Sequence, residues 1–173
     1  MDRRGLYVIG GLALLAIVLG GGIVLSEYQN RQKWTPALNA AEAQYGLPAG
    51  LLVRQAQEES SFSSAVIDGT EASSAGALGI LQLEPAYFPS VQAPRPFSDD
   101  AVNRQIDDAA REMARLYEHF GSWVNALAAY NWGEGNMDRY TSSGSPPIPA
   151  ETQKYVADIT ADVPAANDGD LVV

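Results

Sequence analysis

Twenty consecutive residues without a charge, Leu6–Leu25, are the feature that most constrains what this chain can fold into. An apolar helix of about 20 residues is long enough to cross the hydrocarbon core of a bilayer. Three interpretations compete for the segment: a retained membrane anchor, a cleaved signal peptide, or a helix buried in a protein core. A signal peptide has a shorter apolar stretch and an Ala-x-Ala-like cleavage site, and this segment shows no clean one. We therefore predict a single N-terminal transmembrane helix.

The basic residues around this segment predict its orientation. Arg3 and Arg4 flank one end, whereas at the other end Glu27 partly offsets Arg31 and Lys33. Because basic residues are enriched on the cytoplasmic side of membrane proteins, we predict a cytoplasmic N-terminus. The rest of the chain would then lie on the side of the membrane opposite to the N-terminus.

The charge balance and the absence of cysteine exclude several classes of protein. The 21 acidic residues outnumber the 11 basic ones, which argues against a phosphate-backbone partner, so we predict no nucleic-acid binding. The chain has no cysteine for a disulfide or for thiol chemistry, and its single histidine, His119, cannot build a Cys/His or multi-histidine zinc site. We predict no metal and no cofactor, and we place His119 near a helix end, where a cation is favourable.

Beyond the apolar segment, the pattern predicts one mainly α-helical domain. We divide the chain into a stub and anchor at 1–26, a polar linker at 27–35, a helical domain at 36–163 and a disordered acidic tail at 164–173. Apolar residues at helical spacing, together with capping residues, predict five helices, at 36–45, 48–60, 100–119, 123–131 and 149–163. The glycine-containing segment 76–83 is either a short helix or an irregular turn.

The second of these helices carries an acid on its apolar side. Leu52, Ala56 and Glu59 recur at i, i+4 and i+7, so Glu59 projects toward the core. Burial penalises the charged form of a carboxyl group and raises its pKa, as a general acid requires. The rival acid is Glu58, which we expect to form a surface ion pair with Arg54. We assign the acid to Glu59; the alternative is that both are solvated acids on a structural helix.

Four separated segments resemble one family in their order and spacing. They are Glu59–Phe62, Gly76–Gln82, Ala128–Gly133 and Glu151–Val156. Together they resemble the signature segments of the soluble lytic transglycosylase domain, which has the lysozyme-like fold and is related to goose-type lysozymes. The resemblance spans roughly residues 36–161 and implies a lysozyme-like helical domain behind the predicted membrane helix.

The resemblance also implies an activity. Glu59 would protonate the oxygen that links N-acetylmuramic acid to N-acetylglucosamine in peptidoglycan, and would then withdraw a proton from the C6 hydroxyl of the muramic acid. The product is a 1,6-anhydro ring, formed without water, and no second carboxylate is needed. Asp68 and Glu71 occupy the loop where goose-type hydrolases place helper carboxylates, so a lysozyme-type hydrolase is one alternative. A non-catalytic glycan-binding or structural subunit of a virion or secretion complex is another.

The residues that the resemblance implies for glycan binding are Ser60, Gln82, Tyr130, Asn131 and Tyr155. Gln82 would line the sugar cleft, and the Tyr155 hydroxyl would reach toward the catalytic glutamate. Their structural alternatives are a helix-ending serine at 60 and a core tyrosine at 155. Two positions depart from the family pattern: Leu81 stands where methionine is usual, and Trp132 replaces the alanine of the usual Asn-Ala-Gly.

Together, the predicted anchor and the resemblance imply a single-pass membrane protein with a periplasmic catalytic domain. Its partners would be peptidoglycan glycan strands and, through residues 6–25, the membrane. A small anchored enzyme of this kind suits local opening of the cell wall for a secretion or conjugation machine. It also suits an infecting phage, in which case the membrane would be that of the virion.

Overall fold

The computed structural model of the protein describes residues 21–169 and Leu171. Across those residues it contains α-helices, two short 3-10 helices and one isolated antiparallel bridge, between Leu78 and Leu83. The α-helices are α1 (Gly21–Tyr45), α2 (Leu51–Ser60), α3 (Ser64–Ile67), α4 (Asp99–Phe120), α5 (Trp123–Trp132), α6 (Glu134–Ser143) and α7 (Ala150–Asp162). The prediction of a mainly α-helical fold is confirmed.

Helix α5 lies between α4, α6 and α7 and forms part of the core. Its sequence is almost entirely apolar, and the stretch Ala126–Ala129 is buried on all sides. Because alanine side chains are short, neighbouring helices can approach this helix closely. The C-terminal end of α5 carries Tyr130 and Asn131, so the packing of the core fixes the position of two predicted site residues.

Helix α2 is short, and a side chain of another helix caps its N-terminus. Its own N-cap residue, Gly50, has no side chain to accept a hydrogen bond. The buried carboxylate of Glu42, on α1, accepts hydrogen bonds from three backbone amides: Gly50 at 2.7 Å, Leu52 at 2.7 Å and Val53 at 3.3 Å. A carboxylate at this position satisfies unpaired N–H groups and complements the helix dipole.

Residues 27–35 are helical, which corrects the prediction of a polar linker. Helix α1 runs without interruption from Gly21 to Tyr45, with Pro36 inside it rather than at its start. Proline removes one backbone hydrogen bond from a helix interior, which is why the sequence suggested a boundary there. Trp34 and Leu38, one turn apart, are both buried in the core, and this packing stabilises the helix on either side of the proline.

The predicted membrane helix, Leu6–Leu25, lies mostly outside the described residues. In the part of the chain that the structure describes, no helix combines the length and the apolar character that a membrane span requires. Residues 21–25, the last five of the predicted segment, belong to α1. The membrane anchor and the orientation of the chain therefore stay predictions.

The residues after α7 are structured as far as Gly169, which corrects the prediction of a disordered tail from residue 164. Pro164–Ala166 forms a 3-10 helix in which Ala166 is fully buried. The Asp168 carboxylate accepts hydrogen bonds from the backbone amide of Trp123 at 2.9 and 3.0 Å. The small, acidic composition suggested disorder, but these residues cap the N-terminus of α5.

Two serine N-caps follow the sequence pattern closely. Ser98 accepts a hydrogen bond from the Ala101 amide, and Ser122 from the Asn125 amide, so α4 and α5 begin where the pattern predicts. Helix α6 was not expected, because Gly133 and Gly135 suggested that regular structure ended there. Residues 76–83 form an irregular turn rather than a short helix.

We predict that Glu42→Ala destabilises the protein by about 3 kcal/mol, since it removes a buried acceptor of several backbone hydrogen bonds and leaves those donors unsatisfied. Urea unfolding of the full chain, followed by circular dichroism, measures the change. Glu27→Ala, on the same helix but away from the core, is the matched control and should shift the free energy of unfolding by less than about 0.5 kcal/mol. Equal effects of the two substitutions would contradict the capping role.

Candidate active site

Glu59 lies near the C-terminal end of α2, in a cleft of about 260 Å³. The residues that line this cleft are Glu58, Glu59, Asn131, Glu151, Lys154 and Tyr155. Leu52 and Ala56, on the same face of α2, are fully buried, whereas Glu59 is partly buried. The helix therefore carries its acid from the core to the edge of an open cleft, as the spacing of its apolar residues predicts.

The environment of Glu59 favours the protonated form of its carboxyl group. Burial raises the pKa of Glu59 to about 7, and the nearby carboxylates of Glu58 and Glu151 act in the same direction. The hydrogen bond from Tyr155 lowers the pKa but does not cancel the effect of burial. A pKa close to neutral lets one group donate a proton and later accept one at neutral pH.

Tyr155 reaches Glu59 from α7, across the interface between α2 and α7. Its hydroxyl donates a hydrogen bond to Glu59 Oε1 at 2.7 Å, and the tyrosine side chain is buried. Burial, followed by the charge of Glu59, raises the pKa of the Tyr155 phenol well above its ordinary value. The phenol therefore stays protonated, and it orients the glutamate as a hydrogen-bond donor.

Asn131 lines the same cleft and is held by a neighbour on α7. The Thr152 hydroxyl donates a hydrogen bond to Asn131 Oδ1 at 2.8 Å, and Thr152 is itself buried. Because Oδ1 faces Thr152, the amide NH2 group of Asn131 is the part that can donate to a ligand in the cleft. The sequence offered Thr152 only as part of a motif, and its role in fixing the Asn131 amide comes from the structure.

Tyr130 and Gln82 are not among the residues that line the cleft. The Tyr130 hydroxyl donates to the backbone oxygen of Leu81 at 2.7 Å, so it ties α5 to the turn at 79–82. Burial, followed by the charge of Glu59, raises the pKa of the Tyr130 phenol well above its ordinary value. Gln82 Nε2 donates to the oxygen of Gly79 at 2.9 Å, within its own turn.

Gly79 has no room for a side chain in this turn. Its φ is +81°, and a Cβ atom would lie 2.1 Å from Oε1 of Gln105, a buried side chain on α4. Glycine therefore lets the backbone of the turn pack directly against α4. The turn that presents Gln82 and contacts Tyr130 depends on this close approach.

Ser60 has a structural role at the end of α2. Its hydroxyl donates to the oxygen of Ala56 at 2.9 Å and accepts from the amide of Phe62 at 3.3 Å, and the side chain is buried. Both contacts serve the turn in which Ser61 and Phe62 adopt positive φ values. Ser60 does not line the cleft around Glu59.

The two loop acids expected as helper carboxylates of a hydrolase, Asp68 and Glu71, lie elsewhere. Asp68 accepts hydrogen bonds from the amide and hydroxyl of Thr70, and it lines a separate cavity beside Asn30 and Lys33. Neither Asp68 nor Glu71 lines the cleft of Glu59. The structure instead places Glu151 in the cleft of Glu59. The sequence could have indicated this residue, because Glu151 precedes Tyr155 by four residues and so lies on the same face of α7.

Glu58, the rival acid, is held at the rim of the cleft by an ion pair. The predicted pairing with Arg54 is present, and Arg54 Nε also contacts Asp162 Oδ2 at 2.6 Å. Glu58 is exposed, whereas Glu59 is partly buried, so only Glu59 has the environment of a general acid.

One group of side chains in the described part of the chain has a spacing that suits a metal ion. His119, Glu134 and Asp138 bring one ligand atom each within 4.8 Å of one another. Both carboxylate oxygens of Glu134 accept hydrogen bonds from Arg115 at 2.8 Å, and His119 Nε2 lies 2.7 Å from Asp138 Oδ1. The guanidinium already balances the Glu134 charge, so we assign no metal to this group.

Comparison with known proteins identifies the family of this chain. Residues 36–146 match the family model of the transglycosylase SLT domain, which is well over half of the chain. A similar solved structure is an inactive mutant of the lytic transglycosylase Slt from Pseudomonas aeruginosa, with a TM-score of 0.56 and 20% sequence identity. The match covers 73% of this chain and 22% of that one, so this chain spans about a fifth of the length of Slt. The likeness of the fold and the family match agree: this chain belongs to the transglycosylase SLT domain family.

Proposed function

We propose that this protein is a peptidoglycan lytic transglycosylase. It would cleave the β-1,4 bond between N-acetylmuramic acid and N-acetylglucosamine and leave a 1,6-anhydro end. The observation that carries this proposal is the hydrogen bond that the Tyr155 hydroxyl donates to Glu59. The Glu59 carboxyl group that accepts it is partly buried, and its pKa is about 7. Membership of the SLT family and the fold shared with a lytic transglycosylase support the same activity.

Glu59 serves as acid and then as base in this reaction. In its protonated form it donates a proton to the bridging oxygen, and the bond from that oxygen to C1 of the muramic acid breaks. The resulting carboxylate accepts the proton of the C6 hydroxyl while O6 bonds to C1. The first proton leaves on the new hydroxyl group of the N-acetylglucosamine, the C6 hydroxyl proton replaces it on Glu59, and no water is consumed.

The raised pKa suits both halves of this cycle. At neutral pH, a carboxyl group of ordinary pKa would already have lost the proton that the first half needs. Burial keeps this proton on Glu59 until the glycan arrives. The Tyr155 hydroxyl then stabilises the carboxylate that the first half leaves behind.

A lysozyme-type hydrolase is the second candidate, and one observation favours it. Glu151 is an exposed carboxylate that lines the cleft together with Glu59. A second carboxylate can position a water molecule to attack the sugar in place of its own C6 hydroxyl. The mass of the products separates the two reactions, because an anhydro end weighs one water less than a hydrolysed end.

We further propose that residues 6–25 anchor the enzyme in a membrane, with the catalytic domain on the periplasmic side. Helix α1 begins at Gly21 and enters the core at Trp34 without a break. The nine helical steps from Leu25 to Trp34 rise by about 14 Å. Such a short helical connection would keep cleavage close to the membrane, which suits an accessory enzyme of a secretion or conjugation machine. A phage virion membrane is the other setting that this arrangement suits.

Glu59→Gln should lower the rate of peptidoglycan cleavage by about a thousandfold or more, because the amide cannot donate the proton to the leaving oxygen. Mass spectrometry of the soluble products measures the rate and identifies anhydro ends in the parent protein. Glu58→Gln, the neighbouring acid at the rim of the cleft, is the matched control and should retain most of the activity. Undiminished release by Glu59→Gln would overturn the assignment of the acid, and hydrolysed ends in the parent would favour the hydrolase.

Glu59 should also make the stability of the protein depend on pH. Its pKa of about 7 in the folded protein lies above the ordinary 4.5, so the folded state binds this proton more tightly than the unfolded state. The stabilisation is fully present below about pH 4.5 and is lost as the pH rises through about 7. Glu59→Gln, which cannot ionise, should therefore raise the melting temperature more at about pH 8 than at about pH 4. A pH-independent difference in thermal unfolding would contradict the raised pKa.

The proposed anchor predicts that the full chain sediments with the membrane fraction and resists extraction with alkaline carbonate. Deletion of residues 1–20 should release the protein into the soluble fraction, since an apolar stretch too short to span the bilayer remains. N-terminal sequencing of the membrane-bound form distinguishes a retained anchor from a cleaved signal peptide. Recovery of the full-length chain in the soluble fraction would contradict the anchor.

A further inference from the structure

Gln55 is an amide in a part of the core that is otherwise apolar. Its side chain is fully buried, and neither Oε1 nor Nε2 has a hydrogen-bond partner. Leu51, Leu52 and Ala56, around it on α2, are fully buried as well. An unsatisfied buried amide costs about 1–3 kcal/mol, so a leucine or methionine would serve the packing better. This cost calls for a role other than packing.

The position of Gln55 suggests that role. Gln55 precedes Glu59 by one helical turn, and i, i+4 spacing places two side chains on the same face of a helix. Tyr155 packs against this face of α2 and donates its hydrogen bond to Glu59. The Gln55 amide is close enough to the Tyr155 phenol to lower its pKa, although it completes no hydrogen bond there. Gln55, Tyr155 and Glu59 therefore form one cluster, of which Tyr155 and Glu59 line the cleft.

We propose that Gln55 is a positioning residue of the active site, whose amide N–H group donates to the Tyr155 phenol oxygen when a glycan chain occupies the cleft. The inference rests on the proposed transglycosylase function. The chain of donors then runs from the Gln55 amide to the Tyr155 hydroxyl and from that hydroxyl to the Glu59 carboxylate.

This arrangement assists the second half of the reaction. A hydroxyl group whose oxygen accepts a hydrogen bond becomes a stronger donor through its own proton. Tyr155 would therefore stabilise the Glu59 carboxylate most after the first proton transfer, when that carboxylate has to hold its position for the C6 hydroxyl. Burial favours the acid form of Glu59, and the Gln55–Tyr155 pair limits how far burial can raise its pKa.

Other titratable or charged groups line the cleft or interact electrostatically with Glu59, but their positions do not depend on the Gln55 amide. From α2, α5 and α7, these groups are Glu58, Tyr130, Glu151 and Lys154. Glu58 is bound by Arg54, and Lys154 pairs with Asp158. A change confined to the Gln55 amide therefore reports on the Tyr155 hydrogen bond.

Gln55→Met tests the proposal, because methionine has a similar length and shape but cannot donate a hydrogen bond. We expect a melting temperature equal to that of the parent or higher, since an unsatisfied amide is removed. We also expect kcat on peptidoglycan to fall by about tenfold, the equivalent of one hydrogen bond, with little change in KM. The pKa that limits activity at high pH should rise. Gln57→Met, on the same helix and outside the cleft lining, should change none of these quantities.

Two measurements separate this inference from the proposed function. NMR titration of the Glu59 carboxyl carbon in the full chain, with the cleft occupied by a peptidoglycan fragment too short to be cleaved, needs no turnover, and the pKa should be higher in Gln55→Met than in the parent. In the parent, the Gln55 side-chain amide resonances should shift when a peptidoglycan fragment binds. An unchanged Glu59 titration would overturn the proposal. A loss of activity in Gln55→Met that is fully explained by a lower melting temperature would overturn it as well. If Gln55→Met does not fold, the second measurement is sufficient by itself: Gln55 amide resonances that do not shift in the parent would overturn the proposal.

Discussion

The position of Glu59 depends on the hydrogen bonds that the buried carboxylate of Glu42 accepts from the N-terminus of α2. A ten-residue helix such as α2 is only marginally stable by itself, because forming its first turn costs more than one hydrogen bond returns. Glu42 binds the backbone amides at its N-terminus, and Tyr155 binds Glu59 near its C-terminus. The acid is therefore positioned by contacts from α1 and α7 as well as by the helix that carries it.

Two opposing effects meet at Glu59. Burial and the neighbouring carboxylates raise its pKa, and the Tyr155 hydroxyl lowers it. A fully buried carboxyl group without a donor would hold its proton too tightly to act as a base, and a solvated one would lose it before the substrate arrives. The partly open cleft, with one phenol donor on α7, keeps the group between these limits.

The helical fold and the partly buried position of Glu59 could be predicted from local patterns, whereas the supporting contacts could not. The spacing of Leu52, Ala56 and Glu59 identified the buried face of α2, and Ser98 and Ser122 marked where two helices begin. Glu42 shares a helix face with the buried Leu38, one turn earlier, but its role depends on a partner eight residues further along. The continuation of α1 through Pro36 likewise depends on tertiary packing, which sequence periodicity does not report.

The last described residues of the chain are tied to the site through α5. Asp168 holds the first amides of that helix, and the other end of the same helix carries Asn131 into the cleft. Proteolytic trimming of the C-terminus would therefore loosen a helix whose far end lines the cleft, even though the cut lies well away along the chain. A protease that removed these few residues would lower the proposed activity without touching any group in the cleft.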